Sequence, residues 1–132
     1  MNGLLRRLAI GLLAMAAGAV LAGLVGGDAN ALVGALKLDP ATRRVTGRGR
    51  DVKIGATEFK LLHFLMAHPE RVHSRSQLLD RVWGDHVFIE ERTVDVHIKR
   101  LRETLTPVDC QHMIETVRGA GYRLARPQAV PV

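Results

Sequence analysis

The sequence predicts an α+β fold with an N-terminal antiparallel β-sheet, three helices and a C-terminal β-hairpin, preceded by a separate apolar N-terminal helix. Three observations predict it. Short segments separated by turn residues occupy residues 34–54, apolar residues recur at helical spacing over residues 57–105, and a glycine-bearing turn joins two strand-like runs near the end of the chain. The chain of 132 residues is about the size of one domain, which excludes a large multidomain enzyme.

The charge of the chain is basic. Nineteen lysines and arginines against thirteen aspartates and glutamates give a formal net charge of +6. Such a balance favours a polyanionic partner, either nucleic acid or an anionic membrane surface. Residues 34–132 carry +5 of this charge, because residues 1–33 contain only Arg6, Arg7 and Asp28 as charged side chains.

Residues 1–33 form an apolar segment distinct from the rest of the chain. Between Leu8 and Gly27 no side chain is ionisable or strongly polar, and a helix of that length spans about 30 Å, the hydrocarbon thickness of a bilayer. One interpretation is a transmembrane helix that associates the protein with a membrane. A second is a signal peptide, because the small residues Ala29-Asn30-Ala31 follow the run. A third is a truncated or shifted reading frame, and the sequence leaves all three open.

Residues 34–54 predict the antiparallel sheet. Three short strands are expected at Gly34–Leu38, Arg43–Thr46 and Asp51–Ile54. Asp39-Pro40 and Gly47-Arg48-Gly49 separate these strands, and aspartate, proline and glycine are typical turn residues.

Two short helices are predicted next. Thr57 is placed to cap the first helix, with Glu58 in its first turn, and Pro69 ends it. The buried face of this helix is expected to comprise Phe59, Leu62, Leu65 and Met66. The run Ser74-Arg75-Ser76-Gln77 is a capping box that begins the second helix. The residues of this helix expected to face the core are Leu78, Leu79 and Val82.

The third helix has one apolar and one cationic face. Its apolar seam, ending before Pro107, consists of Val94, Ile98, Leu101 and Leu105. The opposite face carries Arg92, Thr93, Val96, Lys99 and Arg100. An exposed apolar side chain among cations has a use in the DNA major groove, where it contacts the thymine methyl group while Arg or Lys reaches guanine acceptors or phosphates. The alternative is a solvated charged face with one incidental valine.

The end of the chain predicts a β-hairpin. Met113–Val117 and Tyr122–Ala125 flank the turn Arg118-Gly119-Ala120-Gly121, and a frayed tail begins at Pro127. A helix pair, a loop, a cationic helix and a hairpin tipped by an arginine are the parts of a winged helix-turn-helix, whose wing can deliver that arginine to the minor groove.

Three stretches carry a resemblance to a known family: Thr57-Glu-Phe-Lys-Leu-Leu62, Arg92-Thr-Val-Asp-Val-His-Ile98 and Thr116-Val-Arg-Gly-Ala-Gly-Tyr-Arg123. With them, residues 34–126 resemble the C-terminal DNA-binding effector domain of OmpR/PhoB-family response regulators, and most of all its PhoB members. The resemblance implies sequence-specific binding of double-stranded DNA for transcription regulation in a two-component phosphorelay. It also implies a recognition helix over Arg92–Leu105 and a fourth strand in the sheet, near Gly55-Ala56 or in the preceding linker.

The resemblance implies nine DNA-binding positions. They are Arg92, Thr93, Val96, Lys99, Arg100 and Arg102 facing DNA from the helix, Thr116 and Tyr122 at the DNA backbone, and Arg118 in the wing. Lys99 stands where the PhoB pattern has arginine, which keeps the charge but loses the planar bidentate fork.

The loop between the second and third helices resembles the family's transactivation loop, which faces the sigma subunit of RNA polymerase. The candidate polymerase contacts that this implies are Trp83, Gly84, Asp85, Glu90 and Glu91. The alternative for Trp83 is that it packs against the helices.

Members of this family carry a receiver domain with a phosphoacceptor aspartate, and residues 1–33 hold no counterpart of it. Asp28 lies in no acidic cluster and is not assigned as a phosphorylation site. The sequence therefore predicts a monomer or a weak tandem dimer on DNA. It predicts a cytoplasmic protein, or one tethered to a membrane with its C-terminal domain in the cytoplasm.

No cofactor, metal or catalytic activity is expected. His63, His68 and His73 are five residues apart, a spacing that does not keep ligands on one helical face. Cys110 is the single cysteine, which excludes an internal disulfide and a multi-cysteine zinc site and fits a reducing compartment. The alternative function is a membrane-anchored winged-helix module that binds another protein.

Overall fold

A four-stranded antiparallel sheet, three helices and a two-stranded hairpin follow one another in the computed structural model. The structure describes residues 30–84 and 89–126. The predicted α+β class is confirmed. The apolar helix predicted over Leu8–Gly27, the loop residue Asp85 and the tail from residue 127 lie outside the described residues. Within those two ranges, no helix is long and apolar enough to cross a membrane.

The sheet contains β1 (Ala31–Val33), β2 (Leu36–Asp39), β3 (Arg44–Gly47) and β4 (Arg50–Val52), paired in that order. The three predicted strands are present within a few residues of their expected bounds. Strand alternation divides each strand between two faces. The inner face buries Val33, Leu36, Leu38 and Val45 in the core, and the outer face exposes Leu32 and Lys37.

Strand β1 corrects the boundary that sequence reasoning drew between residues 33 and 34. Ala31 and Val33 are buried and pair with Leu38 and Leu36 of β2, whereas Leu32 between them is 65% exposed. The domain therefore includes residues assigned to the apolar segment. The alternation of buried and exposed residues in β1 cannot be seen in the sequence, because all three residues and the run before them are apolar. Of the two places expected for a fourth strand, Gly55-Ala56 is wrong, since the first helix begins there. The preceding linker is right, since β1 precedes the three predicted strands.

Helix α1 spans Ala56–Ala67, and its cap lies two residues ahead of the expected one. Thr57 is therefore not the cap. Gly55 holds that position with no side-chain bond, and its carbonyl accepts the first helical hydrogen bond from the Phe59 amide at 2.8 Å. The expected buried face is confirmed, with Phe59, Leu62, Leu65 and Met66 all in the core.

Helix α2 (Arg75–Leu78) begins with the predicted capping box. The Gln77 amide donates to Ser74 Oγ at 3.1 Å, and the Ser74 amide donates to Gln77 Oε1 at 2.9 Å. The chain then continues as a π-helical turn over Leu79–Trp83. Leu78 is fully buried, and Leu79 and Val82 pack against the core while partly exposed.

Helix α3 spans Arg92–Leu105 and is followed by a 3-10 turn over Thr106–Val108. Its predicted seam is confirmed in full, because Val94, Ile98, Leu101 and Leu105 are each no more than 1% exposed. The hairpin strands are β5 (Ile114–Val117) and β6 (Gly121–Leu124), as expected within one residue. Together α1, α2, α3 and the hairpin form a winged helix.

Candidate nucleic-acid interface

The exposed face of α3 is cationic around one apolar side chain. Because the buried seam occupies one side of the helix, the opposite side carries exposed Arg92, Val96, Lys99 and Arg100, with Thr93 half-buried. Val96 is 46% exposed and is one of two exposed large hydrophobic side chains among the described residues, with Leu32 the other. Arg92 Nε lies 3.7 Å from the Glu90 carboxylate, but both side chains are exposed and such a pair is weak.

The turn of the hairpin presents a second cation. The turn contains Gly119, whose φ is +76°. It is closed by a hydrogen bond from the Ala120 amide to the Val117 carbonyl at 2.9 Å. Arg118 stands exposed at its tip, and Thr116 is exposed on β5. The hairpin is the wing that the sequence predicts.

An open cleft of about 340 Å³ separates the wing from the start of α2 and the residue before α3. We call it the wing cleft, and its polar lining includes Ser74, Arg75, Glu91, Thr116, Arg118 and Tyr122. The wing and the beginning of the cationic helix therefore border one concave surface.

The wing is joined to the segment before α2 through the backbone. The His73 amide donates to the Tyr122 carbonyl at 2.8 Å, and the Tyr122 amide donates to the His73 carbonyl at 2.9 Å. This pair of bonds extends β6 by one bridge and connects the wing to the helix pair.

Arg102 bonds within the domain. Its Nη2 donates to the Ile114 carbonyl at 2.9 Å and to Thr116 Oγ1 at 2.8 Å, and its Nε donates to the same carbonyl at 3.2 Å. Both acceptors lie on strand β5. Arg102 therefore connects α3 to the wing. The sequence analysis expects this side chain to face DNA and does not predict its bonds to β5.

Tyr122 is also turned inward. The side chain is 6% exposed, and its hydroxyl donates to Asp95 Oδ1 at 2.5 Å. Arg75 Nε donates to the same oxygen at 2.8 Å. Burial raises the pKa of Asp95, but the hydrogen bonds from Tyr122 and Arg75 outweigh it and hold that pKa below its ordinary value. Burial, and then the bond to Asp95, raises the pKa of Tyr122.

Sequence reasoning missed Asp95 and Arg75. One signal was present, because Asp95 and Arg102 are seven residues apart and so lie on one flank of α3, two turns from each other. That flank faces the wing. Nothing local to Arg75 indicates its partner, which lies 20 residues along the chain.

Trp83 ends the π-helical turn that precedes the loop before α3. Its ring lies 5.3 Å from the His97 ring, and His97 Nδ1 is 2.5 Å from Oε1 of the buried Glu58. The half-buried Trp83 thus packs against the helices, as the alternative interpretation expects. Of the other polymerase-contact candidates in the described residues, Gly84, Glu90 and Glu91 are exposed.

The three histidines that the sequence singled out do not line the wing cleft. The rings of His68 and His73 each pack 4.7 Å from the Phe64 ring. Residues 30–84 and 89–126 contain no group of three metal-ligating side chains placed to hold an ion. Cys110 is buried, and burial raises the pKa of its thiol.

Comparison with known proteins shows which family has this sequence and fold. Residues 49–124 match the family model described as the C-terminal domain of transcriptional regulatory proteins. The phosphate regulon transcriptional regulatory protein PhoB of Escherichia coli K12 is 57% identical over 90 residues, which is 68% of this chain and 39% of that protein. The PhoB of Pseudomonas aeruginosa is 54% identical over 93 residues, covering 70% and 40%. The chain thus spans about two fifths of these relatives.

Solved structures of two response-regulator DNA-binding domains are similar to about three quarters of this chain. The DNA-binding domain of the response regulator AdeR, in complex with an intercistronic region, superposes with a TM-score of 0.67 at 33% identity, over 74% of this chain and 100% of that one. The RstA DNA-binding domain of Klebsiella pneumoniae, in complex with the RstA box, superposes with a TM-score of 0.64 at 33% identity, covering 73% and 96%.

Proposed function

The chain belongs to the family of C-terminal domains of transcriptional regulatory proteins, of the OmpR/PhoB type, and from this premise we propose that it binds double-stranded DNA sequence-specifically to regulate transcription in a two-component pathway. One observation carries the proposal. Val96 is an exposed apolar side chain in the middle of a cationic helix face, and Arg118 stands on the wing beside that helix. This chemistry fits major-groove bases and phosphates.

We assign distinct contacts to the exposed residues. Val96 contacts a thymine methyl group, and Lys99 and Arg100 reach guanine acceptors or phosphates on either side of it. Arg92, Thr93 and Thr116 contact the DNA backbone, and Arg118 enters the minor groove. These contacts place α3 in the major groove with the wing beside it.

Arg102 and Tyr122 take a different role from the one that the resemblance implies. Their polar groups are engaged by Ile114, Thr116 and Asp95 within the domain. We assign them to holding the wing against α3, with contact to DNA secondary.

The full 132-residue chain tests the proposal directly. Duplexes selected by the chain from a random-sequence pool are compared with scrambled duplexes by fluorescence anisotropy over a range of salt concentrations. We expect the selected duplex to bind about a thousandfold more tightly, and the affinity to fall with salt by a log–log slope of about −0.9 per phosphate contacted. Equal binding of selected and scrambled duplexes would overturn the proposal.

We propose in addition that the loop before α3 contacts the sigma subunit of RNA polymerase. Its support is the exposed acidic pair Glu90 and Glu91 next to the packed Trp83. Replacing Glu90 by Ala is expected to lower transcription from a promoter carrying the selected site while leaving DNA affinity nearly unchanged. An unaltered transcript level would exclude Glu90 as a contact.

We place the domain in the cytoplasm, acting as a DNA-bound monomer or weak tandem dimer rather than as an enzyme. The membrane-anchored interaction module rests on Leu8–Gly27, which the structure does not describe. Recovery of the chain in a carbonate-washed membrane pellet would support a tether, and such a tether is compatible with DNA binding if residues 30–126 stay on the cytoplasmic side.

A further inference from the structure

Asp95 joins three elements of the fold at one carboxylate oxygen. Its Oδ1 accepts a hydrogen bond from the Tyr122 hydroxyl at 2.5 Å and another from Arg75 Nε at 2.8 Å. Asp95 lies on α3, Tyr122 on β6 of the wing and Arg75 at the start of α2. One side chain of the proposed recognition helix is therefore bonded to both other elements that border the wing cleft.

Arg102 completes this contact two helical turns further along. Its guanidinium carbon lies 5.9 Å from the centre of the Tyr122 ring, and its nitrogens bond the Ile114 carbonyl and the Thr116 hydroxyl on β5. Asp95 thus holds the hydroxyl end of Tyr122 while Arg102 lies against the ring. These two contacts join the wing to α3 through side chains, in addition to the backbone bonds between His73 and Tyr122.

The charge of Asp95 is unfavourable for binding DNA as such. A carboxylate in the first turn of a helix that approaches phosphates repels them, and Arg75 is the cation that offsets it. Asp95 is not a core residue either, because its side chain is 35% exposed. A carboxylate in the first turn also suits the helix dipole, but that role needs no partner, whereas Asp95 is bonded to two other elements and so orients them.

We propose that Asp95 is a positioning residue that determines sequence discrimination, because it sets where the wing stands relative to the recognition helix. The inference rests on the proposed DNA-binding function. Charge-assisted hydrogen bonds of this length are among the stronger ones in proteins, so Asp95 restrains the wing tip, where Arg118 stands, without contacting DNA itself.

The test uses three variants of the full chain. Asp95→Asn keeps the size of the side chain but removes the charge that holds Arg75. Tyr122→Phe removes the wing-side bond and leaves every charge in place. Glu115→Gln is the matched control, because Glu115 Oε1 accepts from Arg123 Nε at the same 2.8 Å in an ion pair on the hairpin.

For each variant, affinities for the selected and the scrambled duplex are measured at several salt concentrations, with circular dichroism to confirm folding. Asp95→Asn is expected to lower the ratio of the two affinities about tenfold, the worth of one charged hydrogen bond. It should strengthen binding to the scrambled duplex and steepen the salt slope by about 0.9, because the released Arg75 is free to contact one more phosphate. Tyr122→Phe should lower the ratio without changing the slope, and Glu115→Gln should change neither.

Each other result overturns the inference. An unchanged ratio in Asp95→Asn and Tyr122→Phe, even with a lower melting temperature, would show that Asp95 only stabilises the fold. Loss of discrimination at a single base pair in Asp95→Asn, with Tyr122→Phe like the parent, would show that Asp95 contacts a base. A parent chain with no preference for the selected duplex would instead overturn the proposed function, and the role of Asp95 with it.

Discussion

The carbonyl oxygen of His73 occupies the space beside Gly121 so closely that a Cβ atom on that glycine would lie 1.9 Å from it. Gly121 has φ of +141°, and the next residue, Tyr122, exchanges both backbone hydrogen bonds with His73. The first residues of strand β6, directly after the turn of the wing, thus contact the backbone that precedes α2. No side chain at residue 121 fits between the two segments. This contact packs the wing against the rest of the domain.

Replacing Gly121 by Ala is expected to destabilise the domain by about 3 kcal/mol or more, since backbone strain and a collision with backbone atoms act together. Urea unfolding followed by circular dichroism measures the change. The matched control is Gly119→Ala, where φ is +76° but nothing lies within 4 Å of the added Cβ. It should lose only the conformational part, about 1–2 kcal/mol. Equal losses in both variants would contradict the close contact with His73.

Replacing Val96 by Asp is expected to abolish the preference for the selected duplex, because it puts a negative charge where an apolar side chain meets a base. Stability should change little, since Val96 is 46% exposed. The control is Leu32→Asp, which makes a similar change at a side chain 65% exposed on the outer face of the sheet. Affinity titrations on selected and scrambled duplexes measure both. A Val96 variant that still discriminates like the parent would remove α3 as the reading element.

Replacing Arg118 by Ala is expected to weaken binding to both the selected and the scrambled duplex. The loss should be slightly larger for the selected duplex, which gives a modest loss of discrimination. The salt slope should become shallower by about 0.9, the effect of one phosphate contact. Lys37→Ala removes the same charge from the outer face of the sheet, where Lys37 is exposed, and should leave the slope of the parent. If the two variants gave the same slope, the wing would not lie at DNA.

The stability of the domain is expected to fall as the pH drops below about 6.5, the ordinary pKa of histidine. His73 is 4% exposed and its Nε2 has no hydrogen-bond partner among the described residues. Burial, and then the neighbouring His68 ring, lowers the pKa of His73. The unfolded chain therefore binds a proton that the folded chain does not, and acid favours unfolding.

Urea unfolding at pH 7.5 and pH 5.5 checks the sign. Replacing His73 by Phe, which suits the packing beside the Phe64 ring, should reduce the loss of stability between the two pH values. Burial lowers the pKa of His63 as well, so part of the loss should persist. A parent chain equally stable at both values would contradict the contribution of His73.

Local patterns predicted most of the elements. The buried seam of α3 and the capping box at Ser74 depend only on spacing along a helix, so the sequence displays them directly. Strand β1 was assigned to the apolar segment because three residues are too few to show alternation beside an apolar run. Residue type alone predicts Thr57 as a cap, although Gly55 begins the helix through its carbonyl.

The α+β class, the order of the elements and the cationic face around Val96 follow from local sequence patterns, because hydrophobic periodicity and turn residues act over a few neighbouring positions. Which side chains hold those elements together depends instead on how the elements pack. Asp95 meets Tyr122 across 27 residues, and Arg102 meets Thr116 across 14. Such pairs arise when packing brings distant backbone segments to one place, and the polar groups buried there must then find partners.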